Sequence, residues 1–182
     1  VTSRARRGEA WENLLDAVHD RYIGENRAWV VRTPPRFRVI KRTKGGQFIG
    51  VYQKQDGGPP DYTAFSRGLC FGFDAKDCAG DRWPLSNLKD HQAKAFNLLN
   101  LHGGMAFILL RFRGDGYLVP WTDWSGTPIE HTLAFRWHRW KNKLPGAAAS
   151  LSARDLRSHA HKFVAPDFDW LAVAMRARLR LD

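Results

Sequence analysis

The stretch Pro59-Pro60-Asp61-Tyr62-Thr63-Ala64-Phe65 breaks at Ser66-Arg67-Gly68 and resumes as Leu69-Cys70-Phe71-Gly72-Phe73-Asp74-Ala75-Lys76. Side chains alternate across a strand, so Leu69, Phe71, Phe73 and Ala75 share one face and Cys70, Gly72, Asp74 and Lys76 share the other. The first set reads as a core face. The second passes from small residues to an acid and a base, with Asp61 just upstream after a Pro-Pro turn. A hard divalent cation such as Mg²⁺ takes oxygen ligands, uses one or two carboxylates and keeps several waters. Asp61 and Asp74 supply those carboxylates and the backbone carbonyl of Ala75 a further oxygen, with Mn²⁺ as an alternative ion. Lys76 would position a nucleophilic water and offset negative charge. A lone Asp-x-Lys is also an ordinary surface ion pair. Its place on a strand with an apolar opposite face, after a Pro-Asp, is what favours chemistry.

The chain has 182 residues, with 29 Lys+Arg against 18 Asp+Glu and a formal charge of +11. The length fits one domain, 1–182, around a single core. The basic excess favours a polyanionic partner, because each phosphate neutralised releases condensed counterions. Cys70 and Cys78 form no CxxC and no zinc pattern; they read as two small buried thiols, with a disulfide left open. No apolar run reaches the ~20 residues of a membrane span, and the basic first residues lack an apolar signal core. A cytoplasmic protein with no membrane association is expected.

Along the chain, Trp11, Leu14, Leu15, Val18 and Tyr22 form a helical stripe within a first helix from about Arg7 to Gly24. Ala28 to Arg32 reads as a short strand. From Arg36 to Pro60 two extended arms flank Gly45-Gly46, with Arg36, Arg38, Lys41, Arg42 and Lys44 on the way out and Lys54 on the return. This is a basic β-hairpin that either protrudes to touch nucleic acid or is simply solvated. A second helix, capped by Ser86 or Asn87, runs to about His102 and stops at Gly103-Gly104. Met105 to Phe112 reads as a strand buried on both faces, turning at Gly114-Asp115-Gly116. Trp121 to Ala149 reads as irregular. Ser152 to Asp155 opens a short helix and Asp167 to Leu171 starts the last one. Strands in the middle with helices around them imply an α/β sandwich.

Two further polar residues belong with the acids. Gln92 lies on the apolar stripe of the second helix and would orient a metal water, or satisfy a loop. Glu12 flanks the stripe of the first helix and would face the cavity, or be solvated. Arg136-Trp137-His138-Arg139-Trp140-Lys141 reads as tryptophans turned to the core with some of the cations free for phosphate.

These pieces resemble the RecU Holliday junction resolvases of the PD-(D/E)xK nuclease superfamily. Arg7-Gly8 with Trp11-Glu12, Thr33-Pro34-Pro35, Asp61-Tyr62, Phe73-Asp74-Ala75-Lys76, Pro84-Leu85, Asp90-His91-Gln92, His102-Gly103-Gly104-Met105-Ala106-Phe107, Asp155-Leu156-Arg157-Ser158-His159 and Phe168-Asp169-Trp170-Leu171 follow in family order. The resemblance implies a restriction-endonuclease-like mixed central β-sheet flanked by helices, with a stalk at about 36–60. It implies a homodimer that nicks opposed strands of four-way junction DNA in recombination and repair, in a bacterial or virus-infected bacterial cytoplasm. It puts Asp61, Asp74 and Lys76 in catalytic positions and Gln92 and Glu12 in supporting ones. Contacts to DNA fall to Arg6, Arg7, Arg36, Arg38, Lys41, Arg42, Lys44 and Lys54. The chain departs from the family at Asp74, where Glu is usual, and at Pro59-Pro60, where hydroxyl residues are usual. Gly126 to Ala149 has no family match. The residues alone leave open a restriction-type or repair nuclease of the same fold, or a DNA-binding recombination factor that does not cut.

Overall fold

A computed structural model of the chain describes residues 3–34, 37–52, 58–123, 130, 132–164 and 167–179. Its elements are α1 (Ser3–Gly24), β1 (Trp29–Arg32), β2 (Phe37–Arg42), β3 (Phe48–Tyr52), β4 (Tyr62–Ser66), β5 (Leu69–Cys78), β6 (Arg82–Pro84), α2 (Asp90–Leu101), β7 (Met105–Phe112), β8 (Asp115–Pro120), α3 (Leu133–Lys141), β9 (Ser150–Ser152), α4 (Ala153–His159), β10 (His161–Phe163) and α5 (Trp170–Leu179). Six strands form one sheet in the order β1-β4-β5-β7-β8-β10. The pair β5–β7 is parallel and its neighbours are antiparallel. The parallel pair needs a crossover, and α2 supplies it.

The buried run of β7 divides the interior in two. Met105, Phe107 and Leu109 pack with Trp11, Leu15, Val18 and Tyr22 of α1 and with Trp170, Leu171 and Ala174 of α5. Ala106, Ile108, Leu110 and Phe112 pack with Phe96 of α2, Trp137 of α3 and Leu156 of α4. A strand apolar on both faces thus carries helices on both faces. On β5 the expected split holds: Phe71 and Phe73 enter the α1/α5 core, with Leu69 and Ala75 packed against it.

Three rings set the register. Tyr62, Phe73 and Phe107 are direct cross-strand partners on β4, β5 and β7. Tyr62 stacks on Phe73 at 5.1 Å and 6°, and Phe73 on Phe107 at 5.2 Å and 4°. Slipping one strand by a residue would turn its ring to the opposite face. With residue 62 opposite 73 in an antiparallel pair, residue 61 falls beside 74.

The turns show where glycine matters. Arg67-Gly68 joins β4 to β5 with φ of 48° and 80°, and Arg113-Gly114 joins β7 to β8 with φ of 52° and 90°. Both central residues are left-handed, as tight hairpins require. The second turn therefore lies one residue earlier than the Gly114-Asp115-Gly116 expected, and Asp115 already pairs with Phe112.

Other expectations shift. The segment 121–149 contains helix α3, opened by Thr132, whose Oγ1 accepts from the Phe135 N–H at 3.4 Å. The short strands β6, β9 and β10 are additions to the expected elements; β6 pairs with β9, and β10 extends the main sheet. Ser86 and Asn87 lie in a 3₁₀ turn, and α2 begins instead after Lys89. Among the described residues Cys70 and Cys78 form no disulfide, and they are half-buried rather than buried. Among the described residues no helix is long and apolar enough to cross a membrane.

The strands β2 and β3 form a separate two-stranded ribbon closed through Thr43 and Gln47, whose backbone bond is 2.8 Å. Val39, Ile40, Phe48, Ile49 and Val51 are all exposed on it. Arg42 lies over the Phe48 ring at 5.5 Å.

His19 of α1 is 5% exposed in the aromatic core. Its Nε2 accepts from the Trp170 indole N–H at 3.2 Å, and its ring meets Tyr62 edge-on at 5.1 Å. Burial lowers its pKa to about 4, against a weaker pull upward from Asp16. The folded protein thus resists a proton that the unfolded chain accepts near pH 6.5. Wild-type stability relative to a His19→Gln variant should be constant above pH 6.5 and fall by about 3 kcal/mol as pH drops to 4; urea unfolding at stepped pH reads this. At the ring stack, Phe73→Ala should cost about 3–5 kcal/mol in the same assay.

Candidate active site

Asp61 leaves a buried Pro60 and enters β4 through a bend that β1 holds from the side. The Thr33 N–H donates to the Asp61 carbonyl at 2.8 Å, and the Thr33 hydroxyl donates to the Pro60 carbonyl at 2.7 Å. From the other side, the Asp61 N–H donates to Asp74 Oδ1 at 2.9 Å. Lys76 Nζ lies 3.3 Å from Asp74 Oδ2 and 3.6 Å from Asp61 Oδ2. The ammonium therefore sits between two carboxylates, one wholly buried and one half exposed.

Gly72 makes room for this arrangement. It shares the face of Asp74, and a methyl group there would lie 2.5 Å from Leu99 Cδ2 and 2.8 Å from Pro60 Cγ. The missing side chain lets Pro60 descend onto the strand, which sets the path into Asp61. Leu99 of α2 closes over it, and the left-handed Gly103 at 80° ends that helix, as expected from the glycine pair.

Electrostatics mark Asp61. Partial loss of water around this half-exposed group raises its carboxyl to about 6; Asp74 and, more weakly, Glu12 add to the rise, and Lys76 opposes it. Glu12 is therefore within electrostatic reach of the acids. Its own carboxylate pairs with Arg32 of β1, which also binds Asp16 at 3.1 Å. The Tyr62 hydroxyl donates to Asp16 at 3.0 Å. Sequence reasoning missed this support from Arg32, Thr33 and Tyr62. The available signal was a cation and a hydroxyl at the end of β1, before the Pro-Pro turn.

Gln92 makes the hydrogen bond to a loop residue that was the alternative to orienting a metal water. Its Oε1 accepts from the Lys89 N–H at 2.9 Å, closing the start of α2. The amide oxygen of this half-buried side chain is thus answered by the helix end. Ala75 lies between Asp74 and Lys76 on β5. Of the cations expected to meet DNA, Arg38, Lys41, Arg42 and Lys44 are exposed on the ribbon. The side chains of Arg6 and Arg7, and residues Arg36 and Lys54, lie outside the described residues.

The donor set fits a hard divalent cation. It offers two carboxylates, one held rigid by a backbone N–H, with a lysine already supplying positive charge between them. Among the described residues no three His, Cys, Asp or Glu side chains converge.

A mixed sheet with helices on both faces and an acid-acid-lysine cluster on β5 and at the start of β4 defines a three-layer α/β protein with a charged site at the centre of its sheet. The model of the Recombination protein U family matches residues 6–128, more than half of the chain, and the chain belongs to that family. A Holliday junction resolvase RecU from Geobacillus thermodenitrificans is 24% identical over 178 residues, covering 93% of this chain and 83% of the relative. One from Streptococcus gordonii is 26% identical over 123 residues, covering 64% of this chain and 61% of the relative. One from Shouchella clausii is 29% identical over 111 residues, covering 58% and 53%. The chain thus spans little more than half the length of some relatives it matches. Among solved structures, the Hjc Holliday junction resolvase of Archaeoglobus fulgidus aligns with a TM-score of 0.44 at 10% identity, covering 77% of this chain and 88% of that one.

Because folding holds Asp61 in a site that disfavours its ionised form, Asp61→Asn should raise the melting temperature of the metal-free protein above pH 6. The gain should vanish below about pH 4, where Asp61 is neutral in the folded and unfolded states alike. Scanning calorimetry across that range reads both limbs.

Proposed function

We propose that the chain is a metal-dependent endodeoxyribonuclease that resolves Holliday junctions by paired nicks. The observation that carries this reading is the convergence of Asp61, Asp74 and Lys76 at the centre of the sheet in a chain of the Recombination protein U family. The names carried by its relatives supply the junction as substrate.

Asp61 and Asp74 would hold the cation, with the Ala75 carbonyl a further oxygen; Mg²⁺ is the ion the donor set favours, with Mn²⁺ able to replace it. When bound, the cation supplies Lewis-acid stabilisation of the charge that develops on the phosphate. The residues of the chain do the rest. Lys76, anchored to the buried Asp74, aligns an attacking water and offsets negative charge at the scissile phosphate. Water adds to phosphorus, one P–O ester bond breaks, and the departing sugar oxygen takes a proton. Glu12, steered by Arg32, supports the outer edge of the site.

Binding would be shared between the protein's net positive charge and the ribbon of β2 and β3. Its exposed cations Arg38, Lys41, Arg42 and Lys44 suit a stalk placed at the centre of the four-way junction, with Arg6, Arg7, Arg36 and Lys54 completing the contacts. Two opposed nicks need two active sites, which a homodimer supplies. The reaction belongs in the cytoplasm, where recombining DNA is found.

The test is nicking of a four-way junction titrated with Mg²⁺. Asp74→Asn and Lys76→Met should each lower the nicking rate by about 10³-fold or more, the scale on which single catalytic groups act, while junction affinity in the absence of metal is kept. Wild-type rates in either variant would remove the assignment. Equal cleavage of linear duplex and junction by the wild type would instead point to a restriction-type or repair nuclease.

A further inference from the structure

The segment Arg136–Lys141 has more cations than its structural role consumes. Trp137 is buried and Trp140 packs against the same core, in line with the sequence expectation. Lys141 is taken up by Asp90, at 2.6 and 2.9 Å. Arg136 and Arg139, one turn apart on α3, instead line a cavity of about 320 Å³. Glu130, Phe135 of α3, Ala147 of the following loop and His159 at the end of α4 line it as well.

Both guanidinium groups are held in place. Arg136 donates through Nη1 to Asp155 at 2.8 Å. Arg139 donates through Nη2 to the Pro145 carbonyl at 2.6 Å and lies over the Phe135 ring at 5.6 Å. Among the described residues the Nε–H of Arg136 is buried and has no acceptor. A buried donor without a partner costs about 1–3 kcal/mol, a cost that an acceptor brought to the Arg136 side chain by a small shift would remove. Preset arginines with donors in reserve match the oxygens of a phosphoryl group, which accept at several points at once. Asp155 is already engaged by Arg136 and by Ser152, leaving Glu130 as the opposing charge. From 130 to 159 the chain carries six Lys/Arg against two Asp/Glu, so the local field favours an anion.

We propose that this cavity is a phosphoryl-anion site, distinct from the Asp61–Asp74–Lys76 cluster and filled by a backbone phosphate of bound DNA. It lies beyond residue 128, outside the segment that the family model matches. Its occupant would anchor a DNA arm at a second point on the protein.

Two measurements test it. Inorganic phosphate is titrated into the full-length protein while the arginine Nε–H signals are followed by NMR; those of Arg136 and Arg139 should shift and saturate. Arg139→Gln should abolish the shift, Arg136→Lys should weaken it by removing the Nε–H at constant charge, and Glu130→Gln should tighten it. Separately, the salt dependence of binding to linear duplex and to a four-way junction is measured without metal. Arg139→Gln should reduce the slope of log K against log salt by about 0.9 for each phosphate that the variant no longer neutralises. Loss of the phosphate shift with an unchanged DNA slope would keep the site and assign it a free phosphoryl compound, overturning DNA as its source. No saturable shift in the wild type would overturn the site itself. Only the junction arm rests on the proposed function. The phosphate titration and the duplex slope do not need nicking, so failure of one reading is distinguishable from failure of the other. Arg139→Gln removes a bond to the Pro145 carbonyl and the contact over the Phe135 ring, and a melting temperature equal to wild type confirms that it folds.

Discussion

The parallel stack of Tyr62, Phe73 and Phe107 is the constraint on which the site depends. Each ring belongs to a different strand, and each is the direct partner of the next. Aromatic pairs contribute about 0.5–1.5 kcal/mol beyond the area they bury, so the stack selects one register of three strands by energy as well as by shape. Chemistry follows from that register. Asp61 and Asp74 are the residues just outside the Tyr62–Phe73 pair, so the alignment of two core rings brings two carboxylates together on the opposite face. Their proximity is stabilised by burial elsewhere, because the acids repel one another.

The cluster is a site of local cost within a stable frame. Asp74 is wholly buried, and Asp61 is pushed toward its neutral form by burial and by its neighbour. Lys76 offsets the repulsion in part. Pro60, Thr33 and Gly72 hold the main chain where the acids cannot separate. A divalent ion would relieve the repulsion, so the arrangement is preorganised for charge that arrives with the substrate. Farther back, Arg32, Glu12, Asp16 and Tyr62 form a charged and hydrogen-bonded shell, and the buried His19 joins α1 to Trp170 of α5.

The central elements were legible because their periods are clean. The alternation in Leu69–Lys76 fixes both faces of β5, and the apolar run Met105–Phe112 identifies a strand covered on both sides. Helix α1 shows its stripe from Trp11 to Tyr22. The acid-acid-lysine set was legible for the same reason: strand geometry puts Asp74 beside Lys76, and a Pro-Asp at the start of the neighbouring strand supplies the second acid. Less visible were features that depend on distant partners. Strands β6, β9 and β10 are three residues each, too short for any period. The tryptophans of α3 read as core residues, but the helix itself is hidden in a stretch that reads as irregular, since its arginines interrupt the stripe that packs on Trp121 and Leu88. Gln92 sits on an apolar stripe, yet its amide is spent on Lys89, a capping bond that periodicity cannot distinguish from a catalytic one.

The ribbon of β2 and β3 leaves Val39, Ile40, Phe48, Ile49 and Val51 in water. A two-stranded ribbon draws little stability from its own hydrogen bonds, and these side chains withhold the burial that would reinforce it. Any association that removes them from solvent carries a negative change in heat capacity. The enthalpy of such an encounter must therefore become more favourable on warming, a calorimetric trace that contacts made only through cations and phosphates would lack.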